Sequence, residues 1–204
     1  MTYSADTTPE LVQRAYAAAR QIGFPLTADD PGHGRGSACL PGVGRFLAML
    51  AAGCHRGRIA ELGTGAGIGA AWMSGAMPSD CTLVTTEIDP VRAAAARDLL
   101  AGDARVAVLT GDALELILAR GPFDLIFADC GVRDGDTFGA LVSLLRPGGR
   151  IVMDDLTPAA LLPADSPLRE RDIKREMFAG EARLTSTEVV LPDLANALLV
   201  GTRR

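Results

Sequence analysis

The stretch from Arg58 to Trp72, RIAELGTGAGIGAAW, places Gly63, Gly65, Gly67 and Gly69 at every second position, directly after a short apolar run and an acid, Glu61. A glycine lacks Cβ, tolerates positive φ and lets another molecule come within contact distance of the main chain, at an entropic cost that an ordinary turn avoids. Four of them together point to a ligand held against backbone. Two cofactor classes compete for that role. Gly65-Ala66-Gly67-Ile68-Gly69-Ala70 satisfies the G-x-G-x-x-A dinucleotide fingerprint, and Glu87 is placed to hold the ribose hydroxyls of NAD, as in an oxidoreductase. The same residues, written ELGTGAG from Glu61 to Gly67, form an acid-then-glycine loop of the kind that holds the aminoacyl end of S-adenosylmethionine. His33, in a separate glycine-rich segment, carries the side chain best matched to taking a proton near neutrality.

A loop of this kind works only at the end of a strand and the start of a helix, and the flanking sequence supplies both. TPELVQRAYAAARQIG opens on Thr8 as a cap with Pro9 in the first turn, and Leu11, Ala15, Ala18 and Ile22 recur at helical spacing until Gly23. Phe24 to Gly44 is rich in Gly, Pro and Asp, which predicts a long irregular connection and a lid over the site. RFLAMLAAGC predicts a second helix, followed by strands at Arg58–Leu62, Thr82–Glu87, Arg105–Leu109, Phe123–Ala128 and Arg150–Met153, with Ala-rich helices between them. Near the C-terminus two β-rich runs flank a short Leu-Pro-Asp-Leu-Ala link, which predicts an antiparallel hairpin. The fold class expected is α/β: a Rossmann-like, doubly wound, seven-stranded sheet, mostly parallel, with helices on both faces.

Composition narrows the partners. At 204 residues the chain fits one domain, residues 1–204, with residues 1–44 as N-terminal helix and lid and 45–204 as the cofactor-binding core. A net charge of −5 argues against a broad nucleic-acid-binding face. Cys39, Cys54, Cys81 and Cys130 lie far apart with no C-x-x-C pair, so reduced thiols are expected, without zinc or disulfides. The first residues lack a basic start and apolar stretch, and no run reaches the roughly 20 apolar residues of a membrane span. The expectation is a cytoplasmic protein with no membrane partner.

With these elements in order, the sequence resembles the class I S-adenosylmethionine-dependent methyltransferases, and most closely their small O-methyltransferase branch, which includes catechol and caffeoyl-CoA O-methyltransferases. The likeness covers about residues 37–204. It rests on ELGTGAG, TEIDP at the end of the second strand, GDA after the third, FDLIFAD as the fourth and LLRPGGRIVMDD at the fifth. As a set, in this order and spacing, these pieces outweigh the dinucleotide fingerprint. The resemblance implies that Glu61 and the backbone of Gly63, Thr64, Gly65 and Gly67 face the methionine part of the cofactor. It implies also that Glu87 accepts from both ribose hydroxyls, and that Asp112 or the backbone of Ala113 meets the adenine amine. Asp129 would face the reacting end.

The resemblance further implies a magnesium or calcium ion, held in related enzymes by an Asp after the fourth strand and an Asp-Asn pair after the fifth. Asp129, Asp154 and Asp155 stand at those places, with Asp155 replacing the Asn. Three carboxylates suit a hard cation that would orient a hydroxyl and lower its pKa. The Lys expected three residues after Asp129 is replaced by Val132, and Arg133 cannot act as a base because its guanidinium stays protonated. Asp129 or His33 is then the candidate base. The reading that follows is O-methylation of a small hydroxylated molecule by an enzyme that pairs as a homodimer. A cofactor-binding protein that has lost catalysis and an NAD-dependent oxidoreductase are the alternatives. Selection of the acceptor is expected to reside in Phe24–Gly44 and in LTPAALLPADSPLRERDIK, Leu156 to Lys174.

Overall fold

Successive residues of a strand point to opposite faces, so a nearly continuous apolar run can feed two cores at once. The strand Phe123–Ala128 (β4) does this: Leu125 and Phe127 enter one hydrophobic cluster, Ile126 and Ala128 the other. A computed structural model of the protein describes residues 8–27, 30, 38–191 and 196–204. In chain order its elements are α1 (Glu10–Gln21), α2 (Pro41–Ala52), β1 (Arg58–Leu62), α3 (Ile68–Ala76), β2 (Thr82–Glu87), α4 (Pro90–Leu100), β3 (Val106–Thr110), α5 (Ala113–Leu118), β4, α6 (Gly135–Ser143), β5 (Leu145–Leu156), α7 (Ile173–Gly180), β6 (Leu184–Leu191) and β7 (Asn196–Arg203). The seven strands form one sheet in the order β3-β2-β1-β4-β5-β7-β6. Pairings among β1 to β5 are parallel, and β7 runs antiparallel to both its neighbours.

Val12 of α1, Val43 of α2, Met73 of α3 and Leu99 of α4 cover one face, while Ile117 of α5, Phe138 of α6 and Phe178 of α7 cover the other. This is the doubly wound arrangement expected from the alternating elements. No helix among the described residues is long and apolar enough to cross a membrane.

Four local expectations change. Thr8 does not cap α1: Pro9 is the N-cap residue with no side-chain bond, and the Thr8 carbonyl instead accepts from Gln13 Nε2 at 2.8 Å. The connection after Phe24 ends at Leu40, because Pro41 supplies a preset φ in the first turn of α2. β3 starts one residue late, since the Arg105 side chain reaches back to Asp103 and to the carbonyls of Ser74, Met77 and Pro78. β5 extends well beyond Arg150–Met153 in both directions, because β4 and β7 pair along both its edges.

The contact between α2 and α3 depends on Gly44. A Cβ at Gly44 would lie 2.2 Å from the Trp72 indole, and the Arg45 guanidinium lies 5.8 Å from the centroid of the same ring. Gly44→Val must push the buried indole aside or separate the helices, and overpacking of this kind costs about 1–3 kcal/mol. The expected result is a lower urea midpoint at unchanged m-value; an unaltered midpoint would mean that the two helices do not pack this closely.

Candidate active site

From β1 the chain crosses towards β2, and from β4 towards β5, so the connections leaving the paired carboxyl ends of β1 and β4 part in opposite directions. Open α/β sheets bind ligands in the crevice that this creates. The chain leaving β1 must turn sharply there: Gly63 has φ +96° and Gly65 φ +53°. A Cβ on Gly63 would sit 3.0 Å from the Asp129 carbonyl oxygen, so the turn passes β4 almost backbone to backbone. The amides of Gly63 and Thr64 both donate to the Thr86 carbonyl, at 3.0 and 2.9 Å. Glu87, buried at the end of β2, accepts from the Gly65 amide at 2.7 Å and, through its other oxygen, from the Asp89 amide at 3.0 Å. The carboxylate expected to meet ribose thus also braces the glycine turn.

Behind the turn, Thr85 Oγ1 donates to Glu61 at 2.5 Å and shares a hydrogen bond with the Thr64 hydroxyl. Gly69 makes room for this group, because a Cβ there would meet Glu61 Oε1 at 2.3 Å. Only 1% of Glu61 is exposed. Burial raises its pKa from 4.5 to about 8, the Thr85 hydroxyl opposing and the Glu87 charge assisting.

A cavity of about 350 Å³ opens in front of the turn and is lined by Gly63, Gly65, Glu87, Asp112, Ala113, Asp129 and Asp155, among others. Asp112 is already the N-cap of α5, where one oxygen accepts from the amides of Leu114 and Glu115. Gly67 is the N-cap residue of α3. His33 lies outside the described residues, and His55 is exposed on the turn before β1. Val132 is buried in the core, so no base occupies the position where related enzymes carry Lys.

One oxygen from each of Asp129, Asp154 and Asp155 lies within 4.8 Å of the other two. Two oxygens about 2.4 Å from one cation span up to roughly 4.8 Å, so the trio fits an ion of calcium size with waters completing the shell, and magnesium, with bonds of about 2.1 Å, requires the oxygens to draw closer. Burial first, then the charges of Asp155, Asp154 and Glu61, push the Asp129 carboxyl well above its ordinary range; Asp154 is raised chiefly by burial. Asp155 is one of two non-glycine residues with positive φ among those described, at +62°. Neither Asp154 nor Asp155 caps the following short helix, whose N-cap residue is Pro158.

Several neighbours were not legible as site residues. The Phe24 ring covers the turn, 2.8 Å from where a Gly65 Cβ would be, and the Arg92 guanidinium lies 4.9 Å from its centroid. Asn196 of β7 donates to Asp154 at 2.9 Å, and Lys174 of α7 donates to the Asp154 carbonyl at 2.6 Å. Lys174 did carry a signal, being the sole lysine of the chain.

Known proteins resemble this chain in sequence and fold. Residues 60–156 match the family described as "Methyltransferase domain". A Mycolicibacterium smegmatis protein with the provisional name O-methyltransferase is 33% identical over 199 residues, 92% of this chain and 89% of that protein. The chain belongs to the S-adenosylmethionine-dependent O-methyltransferases. A Niastella koreensis catechol O-methyltransferase is 37% identical over 125 residues, spanning 57% of each chain. Among solved structures, the O-methyltransferase TomG from Streptomyces achromogenes, in complex with SAM, superposes at TM-score 0.71 with 28% identity, covering 97% of this chain and 91% of that one. The Bacillus cereus O-methyltransferase in complex with SAH shares the fold at TM-score 0.75 over 98% and 93% of the chains, at 24% identity.

In this methyltransferase the raised pKa of Glu61 has a measurable consequence. The folded protein holds the Glu61 proton more tightly than the unfolded chain does. Stability from this group is therefore full below pH 4.5 and falls as pH rises towards 8, at up to about 1.4 kcal/mol per unit. Glu61→Gln keeps the shape and an acceptor for Thr85 but has nothing to ionise. Urea unfolding of the cofactor-free protein should decline less steeply across that window in the variant, which should be the more stable of the two near pH 8. Parallel pH profiles would reject the assignment.

Proposed function

We propose that this enzyme transfers the methyl group of S-adenosylmethionine to a hydroxyl oxygen of a small aromatic molecule, with a catechol as the first class to test. The observation that carries the reading is an acid-rich cavity directly over the glycine turn. Glu87, Asp112, Asp129 and Asp155 line it against one basic residue, Arg92, among those described. That field favours a sulfonium cation and opposes the pyrophosphate of a dinucleotide, which disfavours the oxidoreductase. The similarity to the Niastella koreensis catechol O-methyltransferase supports the acceptor class.

In the reaction the acceptor oxygen loses its proton and its electron pair forms the new C–O bond. The C–S bond breaks in line, and its pair returns to sulfur, leaving S-adenosylhomocysteine, the methyl ether and one proton. The protein must hold oxygen, methyl and sulfur collinear and accept that proton. In this reading Glu61 faces the methionine ammonium, whose charge favours the ionised carboxylate. Glu87 takes the ribose hydroxyls, Asp112 or the Ala113 backbone takes the adenine amine, and Gly63 to Gly67 lie along the aminoacyl chain. Without a metal, Asp129 is the proton acceptor that the raised pKa suits. A divalent ion held by Asp129, Asp154 and Asp155 would lower the acceptor pKa and fix its orientation. The reading extends to a cytoplasmic homodimer, which light scattering on the purified chain measures directly. The absence of a base at Val132 favours, as a second reading, a cofactor-binding protein without turnover; release of S-adenosylhomocysteine with any catechol or phenol removes it.

Glu87→Ala should weaken S-adenosylhomocysteine binding by about 2 kcal/mol or more, at least roughly 30-fold in Kd, because charge-assisted bonds to ribose and the brace on Gly65 are lost together. Unchanged affinity by calorimetry, in a variant with native circular dichroism, would falsify the ribose assignment. Methyl transfer should collapse in EDTA and return with millimolar magnesium. Full activity in chelator rejects the metal and leaves Asp129 or His33 as the base to test.

A further inference from the structure

The segment Leu156 to Lys174 ends on a cation whose place in the fold is specific. Lys174 sits in the first turn of α7, nearly twenty residues beyond β5, yet its ammonium donates to the Asp154 carbonyl at 2.6 Å and approaches the Asp155 carbonyl at 3.5 Å. The next residue repeats the device. Arg175 donates to the Thr157 carbonyl at 2.8 Å and to Glu188 at 2.9 Å, and Glu188 in turn accepts from the Ala159 amide at 3.1 Å. Two consecutive side chains of α7 therefore grip the backbone that carries the chain out of β5.

That backbone is held where an L-residue resists it. Asp155 has φ +62°, a region that non-glycine residues enter only when their surroundings enforce it. The left-handed turn changes the direction of the chain between adjacent residues, and the carboxylates of Asp154 and Asp155 converge on Asp129 within 4.8 Å. Asn196 fixes the Asp154 side chain from β7 at 2.9 Å. Lys174 holds the main chain from α7. Convergence of three anions is also electrostatically unfavourable, and the Lys174 charge opposes that repulsion at both Asp129 and Asp154. Val132, in the connection after β4, is buried and brings no charge to the trio.

We infer that Lys174 is the positioning residue of the acceptor end of the site: its ammonium pins the left-handed turn at Asp155 through the carbonyls of Asp154 and Asp155, and so aims their carboxylates at Asp129. It does not line the cavity in front of the glycine turn. The inference rests on the reading of this trio as the acceptor end, and it makes the segment Leu156 to Lys174 a strap that α7 closes. The opposite role, a cation that merely repels a second cation, has the opposite signature. Removing a bystander charge would tighten divalent binding; removing a pin weakens it.

The test uses the full chain loaded with S-adenosylhomocysteine and Mn2+ as probe, titrated by calorimetry. Lys174→Met should bind Mn2+ about tenfold more weakly or worse, the usual loss when a group that orients metal ligands is removed. Lys174→Arg, which keeps charge and donors, should remain within about threefold of the parent, and S-adenosylhomocysteine affinity should stay within about twofold in all three proteins. Equal or tighter Mn2+ binding by Lys174→Met overturns the inference. If the parent takes up no Mn2+, the metal reading fails by itself and turnover decides Lys174. In that case kcat with a catechol acceptor should fall about tenfold or more in Lys174→Met at unchanged KM for S-adenosylmethionine, with recovery in Lys174→Arg. An unchanged kcat would then overturn it. Should the Met variant not fold, Lys174→Gln, which drops the charge and shortens the reach, is judged by the same criteria.

Discussion

The chain leaving β1 passes the end of β4 so closely that a single Cβ at Gly63 would press on the Asp129 carbonyl oxygen. The rest of the site depends on this near contact. It brings the glycine turn and Asp129 to one crevice, and it leaves the amides of Gly63 and Thr64 to be satisfied by the carbonyl of Thr86 rather than by solvent. Glu87 then reaches the Gly65 amide from β2, so three adjacent strands are tied at their carboxyl ends by one turn. A ligand that engages Glu87 is coupled mechanically to the loop it lies on.

Charge is the second organising feature. Glu61, Glu87, Asp129, Asp154 and Asp155 crowd one end of the sheet, and burial raises the proton affinity of Glu61, Asp129 and Asp154. The cofactor-free protein thus carries a local excess of acid, which the charge of Lys174 opposes at Asp129 and Asp154 from within the chain. The cost of keeping these acids together without ligand is the other side of affinity for cations.

The two long connections have different jobs in this arrangement. The segment after α1 delivers Phe24 onto Gly65, with Arg92 of α4 against the ring, at the cofactor side. The segment after β5 is strapped down by Lys174 and Arg175 at the aspartate side. A shared core can serve different acceptors by changing such loops.

By itself the sequence determined what depends on local pattern. Apolar runs and glycine spacing specified β1, β2 and β4 at their observed limits, the doubly wound order, the closing hairpin and the glycine turn, because strand periodicity and backbone freedom are written in neighbouring residues. Ends controlled by distant partners were not legible: the Arg105 side chain reaches from the start of β3 to the carbonyls of Ser74, Met77 and Pro78 at the end of α3, and β5 was lengthened by strands on both sides of it. Asp112 could be read from the sequence as an adenine contact or as a helix cap, and the start of α5 makes it the cap of that helix while it lines the cavity. Above all, Lys174 and Asn196 reach Asp154 from elements about twenty and forty positions away, and no local spacing encodes such contacts. Only the packing of α7 and β7 beside β5 decided them, since through-space distance, not sequence distance, sets which dipoles and charges interact.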